Sequence, residues 1–500
     1  MNIAAVIADH PAESAAIMSR AEVTTYGMLR DQVAALRGGL RGLGLEPGDQ
    51  VAIACGTNWY FVVSFLAVTG AGLVAVPVNP TQPAPEMHRQ LGQVRCRAAV
   101  VGPTGARSFS QVDLAALATL EHLIVPGGLL PDRATTSFDD MLAAEPEPLV
   151  RRFDDDLAVL LFTSGTAGAP RAAMLTHGNL LSNLRSIHDG RIDSVRPDDV
   201  ALCVVPLFHI LGLNPILLAV LRGGARAVLV ERFDAASAVE TIARRGVTLL
   251  AGPPPMWTAL ANQPDATRDD LATLRIATSG AAALPRTTFE RMRDRFGLEV
   301  AEGYGLTEAS PVVTVDGADG EVHPGSVGRP VPGVEVRLVD GDGHDALVGD
   351  AGEIWVKGPN VFKGYWEDPE ATARVITHDG WLRTGDIAVA DGDGRLYLVD
   401  RAKDLIIVSG FNVYPAEVEE VLAEHPAIQQ AMVVGHPDAS TGESVVAHVV
   451  VRPGTAAEED DIIAFCTDRL ARYKAPAKVW FHGALPVTPA GKALRRELSP

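Results

Sequence analysis

The sequence predicts an α/β protein, with a large N-terminal domain of two βαβ-type subdomains plus a small β-barrel-like subdomain, followed by a small α+β C-terminal domain. Three observations carry this prediction. Through about residue 250, helical stretches alternate with short Val/Leu/Ala-rich runs, the texture of parallel strands joined by covering helices. From about Gly325 the texture changes to Gly- and Asp-rich turns between short strands, GVEVRLVD, GEIWVKG and WLRTGDIAVADGDGRLYLVD, which predicts a compact antiparallel or barrel-like section. After Asp400, a hairpin-like strand pair, two helices and two long strands fit a domain of about a hundred residues. The expected boundaries are 1–400 and 403–500.

The elements follow in order. YGMLRDQVAALRGGLRGLG reads as a helix, and DQVAIAC, CRAAVVG, LAVLLFTS, DVALCVVPL, ARAVLV and VTLLAGPP read as strands. Two uncharged runs, Phe61 to Val78 and Val200 to Leu221, raise the question of a membrane span. Gly70, Gly72 and Pro77 break the first into a buried helix, a turn and the strand LVAVPV, while Pro206, His209, Asn214 and Pro215 interrupt the second. No integral membrane association is expected. In the C-terminal part a helix is predicted from Pro415 to Ala423, strands at AMVVGH and SVVAHVVV, and a second helix near Glu459 to Leu470.

Length and charge narrow the function classes. Five hundred residues exceed what one core supports, so two or three domains are expected. The 62 acidic against 43 basic side chains give a formal charge of -19, which repels phosphate backbones and argues against nucleic-acid partners. Cys55, Cys96, Cys203 and Cys466 are scattered without metal-ligand or disulfide spacing. The N-terminal stretch has no basic leader, and a cytoplasmic location fits. Only six lysines are present, at 357, 363, 403, 474, 478 and 492, so a site that needs a slim ammonium has few candidates.

Four segments carry chemistry. In LAVLLFTSGTAGAPRAAMLTHGNL an apolar strand runs into a loop with Thr163, Ser164, Gly165, Thr166 and Gly168, then Arg171, then a helix. Glycine-freed backbone N–H groups, hydroxyls and one cation can wrap a polyphosphate, although the Walker A spacing is absent and an ordinary loop is the commoner reading of such a turn alone. In AEGYGLTEASP, Tyr304 can stack on a base, Thr307 can donate to phosphate and Glu308 can hold Mg²⁺; the plain alternative is a tyrosine turning a corner between Gly303 and Gly305. GWLRTGDIA and DRAKDLIIVSGFNVYPAEVEEVL supply Asp386 and Arg401, an acceptor and a donor suited to ribose hydroxyls or simply to a turn and a surface pair. PVTPAGKALRREL ends the chain with Lys492 after a glycine, an ammonium able to swing toward a carboxylate and a phosphate or to stay solvated.

Taken together and in order, TSGTAGAPR, PLFHILG, GYGLTE, TGD, DRAKDLIIVSGFNVYPAEVE and the terminal GK resemble the adenylate-forming superfamily, in particular its acyl-CoA synthetases for fatty or aryl acids. The resemblance covers almost the whole chain. It implies an N-terminal adenylation domain for ATP and carboxylate, and a mobile C-terminal domain that pivots near 401–403 on the hinge Lys403. It implies ATP, Mg²⁺ and CoA as cofactor and co-substrates, with a small carboxylate as the partner and a homodimer kept open. On the family pattern, Thr163, Ser164, Gly165, Thr166, Gly168 and Arg171 hold the outer phosphates, Gly303, Tyr304 and Gly305 line the adenine pocket, Thr307 and Glu308 serve phosphate and Mg²⁺, and Asp386 and Arg401 hold the ribose. Lys492 would orient the carboxylate and offset charge at the α-phosphate, and Ser409 and Gly410 would border the CoA channel. The chain departs from the pattern at Ala167, Arg171 and Ala172, where the family usually has Thr, Lys and Gly.

The acid is narrowed by what the pocket segment lacks. Amino-acid-activating relatives place an Asp in the segment matching PLFHILGLN, which here offers His209, Leu211 and Leu213; malonate-activating relatives look to carry an arginine where Gly303 stands. The remaining expected wall, His209, Leu211, Leu213, Met256, Trp257, Gly280, Ala281, Ala282, Ala283 and Val312, is apolar with small residues and suits a chain or a ring, with a fatty acid preferred. His209 is placed with the catalytic residues Lys492, Thr307 and Glu308, as a gate rather than a base, because a carboxylate ionised at pH 7 needs no deprotonation. The leading expectation is an acyl-CoA ligase. An acyl-AMP ligase loading a carrier protein is the alternative, followed by a catalytically weakened acyl- or nucleotide-binding protein.

Overall fold

The computed structural model describes the chain except residues 20–21, 164–169, 190–193, 402–405, 409–410, 414, 439–440, 471, 488–493 and 499–500, together with the side chains of 189, 400, 401, 407, 411, 412, 442 and 496. Of the sequence-predicted site residues, Ser164, Gly165, Thr166, Gly168, Lys403, Ser409, Gly410 and Lys492 lie outside the described residues, as do Ala167 and the Arg401 side chain.

The βαβ texture folds into two sheets. A seven-stranded sheet runs in the order 136–137, 122–125, 98–101, 50–54, 74–77, 157–163 and 171–176, parallel except for the last pair. A nine-stranded sheet has a parallel centre, 301–305, 276–279, 249–252, 200–203, 226–229 and 15–19, with antiparallel strands 312–315, 329–330 and 22–25 added at its ends. Short Val/Ala/Leu strands suit positions covered on both faces. Every residue of Ala98–Val101, for example, is buried.

The first uncharged run forms the helix Trp59–Gly70, started by the Asn58 side chain, which accepts from the Phe61 N–H, and then the strand Val74–Pro77. The second begins with the strand Val200–Cys203 and ends in the helical segments Gly212–Leu218 and Ala219–Arg222. Among the described residues no helix is long and apolar enough to cross a membrane.

The Gly/Asp-rich stretch is a four-stranded antiparallel meander of Glu335–Val339, Ala351–Lys357, Leu382–Ala390 and Leu396–Arg401. Beyond it, Ile406–Val408, Phe411–Val413, Ile428–Asp438, Gly442–Val451 and Lys478–Phe481 build a five-stranded sheet, with helices Pro415–Glu424 and Glu459–Thr467 packed around one apolar cluster.

One local expectation is corrected. After the 164–169 loop the chain does not enter a helix directly: Arg171–Thr176 is a strand that pairs back on Leu157–Thr163, with Thr163 opposite Arg171, and the helix His177–Asp189 starts only afterwards. The strands on either side of residues 164–169 therefore pair as a β-hairpin.

Candidate active site

The strand Ala301–Gly305 brings the AEGYGLTEASP motif to the edge of the parallel part of its sheet, and the chain then makes one tight turn, Thr307–Ala309, before returning antiparallel as Val312–Val315. A Cβ on Gly305 would overlap the Pro311 carbonyl, so glycine is required for this close return. Three asparagines grip the turn. Asn214, fully buried, donates to the Ser310 carbonyl at 2.7 Å; Asn360 donates to the Ala309 carbonyl at 2.9 Å; Asn183 donates to the Val312 carbonyl at 2.8 Å. Each satisfies a backbone acceptor in or just after the turn.

Tyr304 is buried, and its hydroxyl donates to Asp386 Oδ2 at 2.7 Å. Asp386 lies directly across the ladder from Arg401, so the meander presents both expected ribose residues at one register position. The predicted adenine and ribose residues thus converge, although they are 82 positions apart.

Glu308 is held by a residue that sequence reasoning missed. The Tyr365 hydroxyl donates to Glu308 Oε1 at 2.8 Å, and the Phe362 N–H donates to the Glu308 carbonyl at 2.8 Å. Burial, with the Glu308 charge next, pushes the Tyr365 phenol well above its usual range, so it stays a donor. The Arg171 guanidinium lies 5.7 Å over the Tyr365 ring, and its Nε donates to Asp368 Oδ2 at 2.9 Å. Asp368 also starts the helix Pro369–Val375, its Oδ1 accepting from the Ala371 N–H at 2.9 Å. That backbone bond first, and Arg171 second, hold its carboxyl below the usual carboxylate range. The segment that carries these residues adds to the sheet edge: Lys363 and Trp366 N–H groups donate to Met174 and Ala172 carbonyls, and the Met174 N–H to Gly364. Thr163 stands at the hairpin opposite Arg171.

His209 precedes the helical segment Gly212–Leu218, and its Nδ1 accepts from the Leu211 N–H at 3.2 Å, which leaves the ring proton on Nε2. Leu211, Val312 and Gly280 are half-buried, while Ala281, with φ of 72°, and Ala282 and Ala283 are exposed. Leu213 is packed in the main core; Met256 and Trp257 belong to a second core, on the other side of the nine-stranded sheet from the helix His177–Asp189.

The apolar cavity is lined by none of these residues. A space of about 260 Å³ lies between the helix His177–Asp189, the helical segments at 212–222 and the sheet, lined by Leu184, Ile187, Pro215, Ile216, Ala219, Leu249, Ala251, Ile276 and Thr278 among others. Leu249 and Ala251, like Ile276 and Thr278, are two apart on adjacent parallel strands in register, so they share one face. From Ala251 and Thr278 this wall runs through Leu249 and Ile276 toward the strands' N-terminal ends. At that remote end stand His188, Ser194 and Arg222. Ser194 is fixed there by its carbonyl, which accepts from Arg275, the residue just before Ile276.

Glu302 fixes the loop that follows the strand Ile276–Ser279. Its Oε2 accepts the Leu284 N–H at 2.8 Å, tying residues 280–284 to the strand below Gly303. Burial is the main cause that lifts its carboxyl to about 7, with buried Asp316 adding to the lift and the Leu284 and Gly325 amides opposing it. A carboxyl raised in the folded state contributes stability that is complete below its unfolded value near 4.5 and is lost as pH rises through 7. Glu302→Gln is therefore expected to be stabilising relative to wild type at pH 8, by on the order of 3 kcal/mol at most, and the advantage is expected to vanish toward pH 4.5. Thermal melts of both proteins across this window check it; a pH-independent difference would contradict the assignment.

Two large α/β sheets, a meander and a small α+β sheet, with Tyr304 bonded to Asp386, Glu308 held in the turn that follows, and an apolar cavity against the same large sheet, form the frame of an AMP-binding enzyme. The chain belongs to the AMP-binding enzyme family, whose model matches residues 3–366, with the AMP-binding enzyme C-terminal domain matching 417–492. It is 35% identical over 523 residues to a long-chain-fatty-acid–CoA ligase of Salmonella typhimurium, covering 97% of this chain and 91% of that one. It is 38% identical over 476 residues to a feruloyl-CoA synthase of Amycolatopsis sp., covering 95% and 93%. Among solved structures, ATP-bound MatB from Rhodopseudomonas palustris superposes with a TM-score of 0.92 at 32% identity, covering 99% of this chain and 98% of that one. A benzoate CoA ligase from Burkholderia xenovorans LB400 gives 0.89 at 29%, covering 100% and 99%. The protein is an ATP-dependent acid–CoA ligase of the adenylate-forming type, using Mg²⁺ and CoA.

Proposed function

We propose that the acid is an apolar carboxylate, a fatty acid first, whose tail occupies the cavity between the helix His177–Asp189 and the strands Leu249–Gly252 and Ile276–Ser279. The carboxylate attacks the α-phosphorus of ATP, forming the acyl–phosphate bond and releasing pyrophosphate; the CoA thiol then attacks the acyl carbon, forming the thioester and releasing AMP. The 260 Å³ cavity carries this reading, because its body is apolar and its wall residue Thr278 pairs with Ala301, at the start of the strand that bears Tyr304. Tyr304 and Asp386 orient the nucleoside. Glu308 and Thr307 face the phosphates, with Glu308 as the carboxylate suited to the cation that ATP brings. Lys492 offsets charge at the α-phosphate, Arg401 completes the ribose contact, and Lys403 is the pivot between the half-reactions, with Ser409 and Gly410 beside the incoming thiol. His209 acts as a wall or gate. The cytoplasm is the proposed location, and a homodimer the proposed assembly.

A second reading has support of its own. His188, Ser194 and Arg222 give the remote end of the cavity a polar character, which suits an acid bearing a distal hydroxyl, and the feruloyl-CoA synthase relative is consistent with it. One experiment separates the readings: AMP release from Mg·ATP with fatty, short, aryl and hydroxyaryl acids, each with and without CoA, and thioester and acyl-AMP read by mass spectrometry. Thioester from fatty acids that appears only with CoA is the expected result. Preference for hydroxyaryl acids would favour the second reading, and acyl-AMP that accumulates with CoA present would point instead to a carrier protein as acceptor.

A further inference from the structure

Arg171 stands where a phosphate-loop cation is expected, yet its position describes a different task. Its Nε is committed to Asp368 at 2.9 Å, and its guanidinium covers the ring of Tyr365. Asp368 is in turn fixed, because the same carboxylate starts the helix Pro369–Val375. Tyr365 is further located by its backbone: its N–H donates to the Thr372 hydroxyl at 2.9 Å, and it bridges to Ala173 on the hairpin strand. Phe362 packs edge-on against its ring at 5.0 Å while giving its own N–H to the Glu308 carbonyl. Everything around Tyr365 is thus arranged to aim one hydroxyl, and that hydroxyl donates to Glu308 Oε1.

We propose that Tyr365, oriented by the Arg171–Asp368 pair, is a positioning residue that fixes the Glu308 carboxylate for the cation carried by ATP. A free glutamate has three rotatable side-chain bonds, and locking it removes the entropy cost of ordering it when the nucleotide arrives. The hydroxyl occupies Oε1 and orients Oε2. Arg171 then acts mainly through Tyr365 and only secondarily as a phosphate contact, which accounts for arginine at this position: its Nε and its flat face do two jobs that an ammonium does not combine. The inference rests on Glu308 as the cation residue.

The test is Tyr365→Phe, which removes one oxygen and keeps the ring under Arg171. Nucleotide affinity is measured by calorimetry with ATP in Mg²⁺ and with ATP in EDTA, alongside the Mg²⁺ concentration for half-maximal AMP release. The expected result is roughly tenfold weaker binding of Mg·ATP with the EDTA value little changed, and a higher Mg²⁺ requirement. Asp368→Asn keeps a good helix start and removes the charge pair, so it should shift the same quantities in the same direction by a smaller factor. Equal weakening with and without Mg²⁺, or no change in either, would overturn the proposal. Glu308→Gln is run beside them. If it leaves the Mg²⁺ requirement unchanged, the reading of Glu308 itself fails; if it shifts the requirement and Tyr365→Phe does not, only the positioning role fails.

Discussion

Lys492→Ala should lower acyl-AMP formation by roughly 10²–10³-fold while thioester formation from supplied acyl-AMP stays largely intact. The asymmetry is the informative part. An ammonium that offsets charge at the α-phosphate is needed only while the acyl–phosphate bond forms, and once acyl-AMP exists the thiol attacks the acyl carbon. The position is one of only six lysines in a chain of 43 basic residues, and the family's C-terminal domain match ends on it. Pyrophosphate release with acid and ATP, against CoA consumption with synthetic acyl-AMP, measures the two steps separately. Equal loss of both would remove Lys492 from the first half-reaction.

Filling the cavity should be nearly as severe, but selectively so. Ala251 lies on the cavity face of its strand, beside Thr278. Phenylalanine there occupies the volume a tail would use, so kcat/KM for long fatty acids should fall by about tenfold or more, and short acids that end before Ala251 should be little affected. Overpacking costs about 1–3 kcal/mol, so the melting temperature is recorded with the kinetics. A uniform loss across chain lengths would mean that the tail lies elsewhere, and would return the search to the half-buried residues Leu211 and Val312.

Much of the architecture was legible because hydrophobic pattern and turn residues agree. The run Phe61 to Val78 resolved as the helix, turn and strand that its glycines and proline imply. Arg171–Thr176 was not legible as a strand, since six residues with four small or flexible side chains give little β preference, and the strand exists because Leu157–Thr163 offers it a ladder. The site divides in the same way. Glycine-flanked Tyr304 and the neighbouring Glu308 announce themselves within one motif. Tyr365 and Asp368 do not, because their partners lie 57 and 197 positions away and a Tyr–Glu or Arg–Asp contact leaves no local pattern. The cavity wall was the least accessible part. In a sheet covered on both faces, an apolar residue gives no sign of which face it serves, and Leu213, Met256 and Trp257 were assigned to the wall while the structure packs them in cores. Leu249, Ala251 and Ile276 needed the register to be seen.

The helix His177–Asp189 touches both halves of the chemistry. Leu184 and Ile187 face the space assigned to the acid, and Asn183, next to Leu184, holds the Val312 carbonyl just beyond Glu308. One helix therefore adjoins both the cavity proposed for the acid and the strand that follows the Glu308 turn. Any influence that a seated tail exerts on nucleotide affinity through this helix must be returned in equal measure by the nucleotide to the tail, because the coupling free energy belongs to the pair and not to either site.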